Sequence, residues 1–294
     1  VGSEMCIRDR IRGDLYKTLV KVEVFNNLFM SIAEQMGVRL QQTARSVNIK
    51  ERLDFSCAVF DSNGDLIANA PHTPVHLGSM DRSVASVIQA HPKMHKGDVF
   101  VTNAPYNGGT HLPDITVITP VFHKDEAQPV FFVASRGHHA DVGGTAPGSM
   151  TPLATHIEDE GVILDNLKLV SKGEFLKAEI FETLTQNKYP CRNPDQNIAD
   201  LKAQIAANEK GVLELTSMIS QFGYDIVHIY KVHIQNYAES CVRRMINSLV
   251  DGNAEIVFDQ GCKISVSIQI DKNTQTATID FTGTSTQQPD NFNA

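Results

Sequence analysis

Two apolar runs separated by a short polar stretch most constrain the fold of this chain. Residues 115–122 and 129–135 are rich in β-branched and aromatic side chains, whereas residues 123–128 are polar. Runs of this kind predict two strands joined as an antiparallel hairpin. Pairing about the centre of the loop places residue 115 opposite roughly residue 136. The residues just before the first strand are therefore expected beside those just after the second.

These two flanks carry side chains that commonly bind metals. His111 and Asp114 precede the first predicted strand, and His138, His139 and Asp141 follow the second. Imidazole nitrogens and a carboxylate oxygen suit Zn²⁺, Mn²⁺ or Fe²⁺, and three protein ligands leave a position for water or substrate. The pattern favours a catalytic metal site. The alternative is that these histidines only form local hydrogen bonds at two loop ends.

The rest of the chain predicts further antiparallel hairpins and several helices. Apolar residues three and four apart between residues 22 and 36 predict a helix that stops near Gly37. Hairpins are predicted over residues 53–69 and over 263–282, and a strand over 98–103. Residues 197–249 have a helical pattern interrupted near Gly223, with His233 on the predicted packed face. We therefore expect an α+β fold with a long helical hairpin insertion.

Composition excludes several classes of protein. The chain has 294 residues, of which 41% are hydrophobic, and no apolar run approaches the roughly 18 residues of a membrane span. Its formal net charge of −8 comes without a basic stripe, so neither a nucleic acid nor a membrane is an expected partner. Five cysteines without a Cys-x-x-Cys pair favour a reducing, cytoplasmic location.

Two long motifs resemble those of the hydantoinase B family. They are Asn-x-Pro-x-x-Gly-Gly-Thr-His-Leu-Pro-Asp at residues 103–114 and Ser-Arg-Gly-His-His-Ala-Asp-Val-Gly-Gly at residues 135–144. The family includes N-methylhydantoinase subunits and the large subunits of acetone and acetophenone carboxylases. Further motifs are most similar to the hydantoinase B-like part of ATP-dependent 5-oxoprolinases; they lie at residues 74–78, 145–150, 192–193 and 197–208.

The resemblance runs from about residue 14 to the last residue and sets the expected domain boundaries. Residues 11–294 would be the N-terminal portion of a hydantoinase B-like catalytic domain, truncated at its C-terminus. Residues 1–10 have neither helical nor strand periodicity and resemble translated adaptor sequence. We expect residues 1–10 to be non-native.

The resemblance also implies roles for individual residues. His111, Asp114 and His138 match the positions at which relatives bind a divalent metal, whose identity stays open between Zn, Mn and Fe. His139 and Asp141 are then expected to be catalytic, through proton transfer or by orienting an imidazole.

Two further residues are expected to bind substrate. Arg136 is suited to pair with a substrate carboxylate in bidentate fashion, or equally to form a surface salt bridge. His76 is expected at a helix start, where backbone N–H groups bind anions, or else as a capping or packed residue.

The activity implied by the resemblance is ATP-dependent, ring-opening hydrolysis of 5-oxo-L-proline to L-glutamate. The chain lacks a Gly-x-x-x-x-Gly-Lys-Ser/Thr loop, and the resemblance assigns ATP to a hydantoinase A-like kinase domain or subunit in a homo- or hetero-oligomer. That partner would phosphorylate the amide, and the metal-bearing part would complete hydrolysis.

Two other functions stay open at this stage. The first is a hydantoinase B or ketone carboxylase subunit that acts on a hydantoin or a ketone. The second is a metal-stabilised scaffold without chemistry of its own.

Overall fold

A seven-stranded antiparallel sheet forms the centre of the fold. The computed structural model describes the backbone of residues 2–70, 72–124, 126–291 and 293, and side chains from residue 20 onward except residue 77. The strand order in the sheet is β2-β1-β5-β4-β3-β6-β7. The strands are β1 (Phe55–Asp61), β2 (Leu66–Asn69), β3 (Val99–Thr102), β4 (Asp114–Val121), β5 (Phe131–His138), β6 (Leu167–Ser171) and β7 (Glu174–Phe175).

The central pair β4 and β5 confirms the predicted hairpin. Asp114 pairs with His138, and Ile115 pairs with Gly137, one residue from the expected partner. Every residue of β4, and of β5 up to Gly137, is buried. Both faces of this hairpin are therefore covered, which explains why its sequence is a nearly continuous apolar run rather than an alternating one.

Helices cover both faces of the sheet. They are α1 (Gly2–Thr43), α2 (Val47–Lys50), α3 (Pro74–Ala90), α4 (Ile157–Glu160), α5 (Lys177–Thr185), α6 (Pro194–Phe222) and α7 (Tyr224–Ser248). On one face, α1 and α6 pack against β1 and β5 through residues such as Met36 and Leu215. On the other face, α3 packs through Met80 and Val84. Among the described helices, none is long and apolar enough to cross a membrane.

A second, three-stranded sheet follows α7. It consists of β8 (Gly252–Val257), β9 (Lys263–Asp271) and β10 (Thr276–Asp280), in the order β10-β9-β8. The antiparallel pairing of β9 with β10 confirms the last predicted hairpin, and β8 is a strand that the sequence analysis did not predict.

The first helix extends past Gly37, so the predicted stop at that residue was wrong. A side chain at Gly37 would collide with the rings of His72 and Phe55, so glycine serves close packing here and does not end the helix. The backbone of α1 begins at Gly2, but the side chains of residues 1–19 lie outside the described part of the chain. The adaptor origin of residues 1–10 stays a prediction.

The predicted break between the last two helices is confirmed, but the predicted packed face of α7 was wrong. Gly223 separates α6 from α7 with φ 84° and ψ 144°, a conformation open almost only to glycine. The buried residues of α7 are Val227, Lys231 and Ile234, whereas His233 is exposed. The Lys231 ammonium forms a buried ion pair with the Asp61 carboxylate at 3.2 Å, which a hydrophobic pattern cannot reveal.

Buried amide side chains attach α6 to the central hairpin. The Gln204 amide nitrogen donates to the carbonyl oxygens of Ile115 and Ser135 at 2.9 and 3.0 Å. Four residues later, the Asn208 amide nitrogen donates to the carbonyl oxygen of Val117 at 2.9 Å. Residues four apart share one face of a helix, so these bonds fix α6 over β4 and β5.

We expect Gln204→Leu to lower the free energy of unfolding by about 2–4 kcal/mol, because it removes these bonds from a buried site. Gln221→Leu is the matched control, since Gln221 is exposed on the same helix. Its expected effect is within about 0.5 kcal/mol. Urea denaturation measures both variants, and equal midpoints would contradict the role assigned to Gln204.

Candidate metal centre and adjoining cleft

Three predicted metal ligands meet at one end of the central hairpin. Asp114 begins β4, His138 ends β5, and the two are paired across the ladder. The His138 Nδ1 lies 3.1 Å from Asp114 Oδ1 and 3.1 Å from His111 Nε2. His111 Nδ1 lies 3.3 Å from Asp114 Oδ2. The antiparallel register thus brings together residues that are 27 positions apart.

The donor set fits a divalent metal. One ligand atom from each of His111, Asp114 and His138 lies within 4.8 Å of the others. Ligands about 2.1 Å from a tetrahedral ion are about 3.4 Å from one another, close to the spacing seen here. Asp114 is buried, His138 half-buried and His111 exposed, so the cluster is closed on the protein side and open on the other.

Two more side chains border the cluster, the buried His76 and the partly exposed Asp54. The His76 Nε2 lies 3.4 Å from Asp114 Oδ2 and 3.5 Å from Asp54 Oδ1. Asp54 Oδ2 lies 3.9 Å from His138 Nδ1. His76 therefore lies beside the candidate metal cluster and contacts Asp114, and its role in substrate binding stays a prediction. Asp54 was not predicted from the sequence, because its position depends on the pairing of β1 with β5, which no local pattern predicts.

The surroundings favour the protonation states that metal binding requires. Burial alone would raise the pKa of Asp114, but hydrogen bonds from His138 and His76 hold that pKa well below its usual range. Burial lowers the pKa of His111 despite the opposing Asp114 charge. An ionised carboxylate beside a neutral imidazole is the state in which both groups bind a metal.

Arg136 lies beneath the cluster, out of contact with solvent. Its guanidinium donates to Thr116 Oγ1 at 2.8 Å, to the hydroxyls of Ser79 and Ser83 at 2.6 and 2.8 Å, and to the carbonyl oxygen of His76 at 3.3 Å. Burial lowers the pKa of Arg136 to about 10. The structure therefore does not bring Arg136 to a place where a substrate carboxylate has access. It anchors the start of α3, which carries His76.

His139 points away from the cluster and into the contact with α6. Consecutive residues of an extended chain face opposite sides, which separates His139 from His138. His139 Nε2 lies 3.1 Å from Gln204 Oε1, and the Asn197 amide donates to His139 Nδ1 at 3.2 Å. Burial lowers the pKa of His139, so the ring stays neutral with both nitrogens occupied. This arrangement suits a positioning residue rather than a proton shuttle.

Asp141 organises the loop that follows β5. Its carboxylate accepts hydrogen bonds from the backbone N–H groups of Gly143, Gly148 and Arg192 at 2.9, 3.0 and 3.1 Å. The Arg192 guanidinium adds an ion pair at 2.7 Å. Burial raises the pKa of Asp141, but these donors outweigh it and lower the pKa overall. The acceptor capacity of Asp141 is therefore used within the loop.

A cleft of about 670 Å³ opens beside the cluster, and His111 forms part of its wall. The remaining wall comes from residues 105, 106, 110, 149–152, 154–157, 160, 287, 290, 291 and 293. Tyr106 and Met150 expose 87% and 63% of their surfaces there, next to polar groups of Thr110 and His156. No lysine or arginine lines the cleft among the residues that the structure describes. The site can hold a small molecule with apolar and neutral polar parts against the open side of the cluster.

The sequence is similar to a known family and to curated proteins. A family model described as Hydantoinase B/oxoprolinase matches residues 18–294. The chain is 44% identical to a 5-oxoprolinase of Dictyostelium discoideum and 45% identical to 5-oxoprolinase 1 of Arabidopsis thaliana. Each alignment covers 94% of this chain but only 22% and 24%, respectively, of those relatives. The chain thus spans less than a quarter of their length.

A solved structure shares the fold. The ATP-dependent caprolactamase of Pseudomonas jessenii superposes with a TM-score of 0.78 at 26% identity. The match covers 88% of this chain and 45% of the caprolactamase chain.

We expect purified protein to contain close to stoichiometric divalent metal, and His111→Ala or His138→Ala to lose it, because each variant removes one of three donors. Elemental analysis measures the metal content. His228→Ala, an exposed histidine of α7, is the matched control and should retain the metal. Metal retained in both site variants would contradict the assignment.

We expect Asp141→Asn to lower the free energy of unfolding by about 1–3 kcal/mol at pH 7, because charge-assisted hydrogen bonds are lost. The lowered pKa means that the stabilisation is present above the ordinary aspartate pKa of about 3.9 and is lost as the pH falls through the folded-state pKa. The difference in the free energy of unfolding between Asp141→Asn and the unmodified protein should therefore become smaller in acid.

Denaturation at pH 7 and near pH 3 tests this dependence. Asp259→Asn, at an exposed position, is the control and should show little effect at either pH. A difference for Asp141→Asn that grows in acid would contradict the role of its carboxylate.

Proposed function

The chain belongs to the hydantoinase B/oxoprolinase family, and from this premise we propose that it forms the metal-dependent hydrolytic part of an ATP-dependent 5-oxoprolinase. The proposed reaction opens the ring of 5-oxo-L-proline to give L-glutamate. One observation carries the proposal: His111, Asp114 and His138 form a metal-type donor set at the wall of a cleft large enough for a small cyclic amide. The identity to two 5-oxoprolinases supports the choice of substrate.

The chemistry of the substrate explains the need for ATP. The amine and the carboxylate released from a five-membered lactam re-close readily, since they are held in the same molecule. Activation of the amide by phosphorylation makes the opening favourable. The sequence contains no phosphate-binding Gly-x-x-x-x-Gly-Lys-Ser/Thr loop, so we assign ATP to a hydantoinase A-like kinase domain or subunit. The working enzyme would then be a fused or oligomeric assembly.

The residues of this chain have distinct roles in the proposed site. His111, Asp114 and His138 would hold the metal. Bound there, a Zn, Mn or Fe ion supplies Lewis-acid polarisation and lowers the pKa of water. The Thr110 hydroxyl donates to Asp114 Oδ2 at 3.2 Å, and His76 faces the same oxygen, so the carboxylate is held in one orientation.

Proton transfer by His139 or Asp141 is not part of this proposal. Both side chains have their hydrogen-bonding capacity filled by other residues, His139 by amides of α6 and Asp141 by the loop after β5. We assign both to positioning: His139 fixes the end of β5, and Asp141 shapes the cleft wall.

The walls of the cleft favour a second candidate substrate class. 5-Oxoproline carries a carboxylate, yet no lysine or arginine lines the cleft in the described part of the chain, and Arg136 is enclosed. A hydantoin or a lactam without a carboxylate would fit these walls without a cationic partner. For 5-oxoproline, His156 or a group of the partner would have to face the carboxylate.

We also propose a cytoplasmic location. The four cysteines with described side chains are Cys57, Cys191, Cys241 and Cys262, and all four are free thiols. Free thiols are typical of a reducing compartment.

The test uses the full-length protein together with its ATP-binding partner. We expect ATP-dependent formation of glutamate from 5-oxoproline, and a loss of at least about 100-fold in His111→Ala but not in His228→Ala. Hydantoin and 2-pyrrolidinone, which lacks the carboxylate, are assayed in parallel. Faster opening of these two rings would favour the second candidate class. If the metal-loaded protein opens none of the three rings, the scaffold role without chemistry of its own would be favoured.

A further inference from the structure

Glu160 occupies a fixed place on the wall of the cleft that also contains His111. It is the last residue of α4, and a Cβ added at Gly144 would collide with its carbonyl oxygen. The neighbouring Asp159 carbonyl accepts hydrogen bonds from the Thr145 N–H and hydroxyl at 2.8 and 3.1 Å. The loop after β5 therefore sets the position of Glu160 relative to the metal cluster.

The carboxylate of Glu160 has no hydrogen-bond or ion-pair partner within the described residues, unlike the carboxylate of Asp141. Asp159 is its titratable neighbour in the chain, and His111, His156 and Asp290 are titratable residues that line the same cleft. Burial and the charge of Asp159 raise the pKa of Glu160 above its ordinary value. A half-buried, unpaired carboxyl group beside a cleft is a candidate for acid–base chemistry.

We propose that Glu160 is the residue that donates a proton to the departing ring nitrogen when the C–N bond of the cyclic amide breaks. The inference rests on the function proposed above. Of the other candidates, His139 and Asp141 are fully occupied, and His111 belongs to the metal cluster.

The substrate of this step is a cyclic amide whose oxygen already carries a phosphoryl group. That group comes from a nucleoside triphosphate bound to the partner. Water adds its oxygen to the carbon that bears the phosphate, and its second proton goes to the ring nitrogen, which gives a tetrahedral intermediate. The C–N bond then breaks, its electron pair goes to nitrogen, and the Glu160 carboxyl proton follows. The hydroxyl proton of the intermediate returns to Glu160, which leaves an amine and an acyl phosphate. A second water converts the acyl phosphate to carboxylate and inorganic phosphate.

The experiment compares Glu160→Gln with Glu158→Gln in the full-length protein and its ATP-binding partner. Glu158 is exposed, lies outside the cleft wall and provides the same charge change. We expect kcat for ring opening to fall about 100-fold or more in Glu160→Gln, with KM nearly unchanged, because general acid catalysis typically contributes that much. Metal content should match that of the unmodified protein. Glu158→Gln should behave as the unmodified protein does.

The pH profile separates an acid from a structural residue. The unmodified enzyme should lose activity as the pH rises through the Glu160 pKa, because the protonated form is required. This alkaline limb of the profile, the decline of activity with rising pH, should disappear in Glu160→Gln and persist in Glu158→Gln. Glu160→Asp keeps an acid at a shorter reach, so it should turn over slowly but retain the limb.

Three outcomes would overturn the proposal. Equal rates and profiles for the two glutamine variants would remove the role of Glu160 and leave the proposed function intact. Loss of metal in Glu160→Gln, or a missing limb in Glu160→Asp, would make Glu160 a structural residue. An unmodified enzyme that opens neither 5-oxoproline, hydantoin nor 2-pyrrolidinone would overturn the proposed function as well.

Discussion

The pairing of Asp114 with His138 across the central hairpin is the constraint on which the rest of the site depends. Adjacent residues of a strand face opposite sides, so a slip by one residue would turn one of these ligands away from the other. The amides of Gln204 and Asn208 bond to the carbonyl groups of the same hairpin and hold α6 over it. The register that brings the candidate metal ligands together is thus also the one that packs the core.

A buried cation that is held entirely by neutral groups lies near the carboxylates of the candidate metal centre. Asp54 and Asp114 place two carboxylates near His138. Burial lowers the pKa of the enclosed Arg136, and the nearby Asp114 charge partly opposes that lowering. Hydroxyl and carbonyl oxygens, rather than carboxylates, accept the guanidinium hydrogen bonds. The Asp114 carboxylate therefore stays available to a metal, while Arg136 anchors the helix start that carries His76.

Adjacent histidines at the end of β5 connect the centre to the cleft by facing in opposite directions. His138 is part of the candidate metal cluster, and His139 contacts the amide groups of α6. Asp141 then orders the following loop, and that loop packs against the backbone of Glu160. The continuous backbone from residue 138 to residue 160 thereby sets the cleft wall relative to the candidate ligands.

Local patterns in the sequence determined the central hairpin, the helix break at Gly223, and the meeting of His111 and Asp114 with His138. Strand periodicity, turn chemistry and polarity act over a few residues, so they can be recognised without a structure. Only the tertiary structure decided the rest. The place of Asp54, the enclosure of Arg136, the inward turn of His139 and the buried face of α7 depend on which strands pair and which faces are covered, and those contacts join residues far apart in the chain.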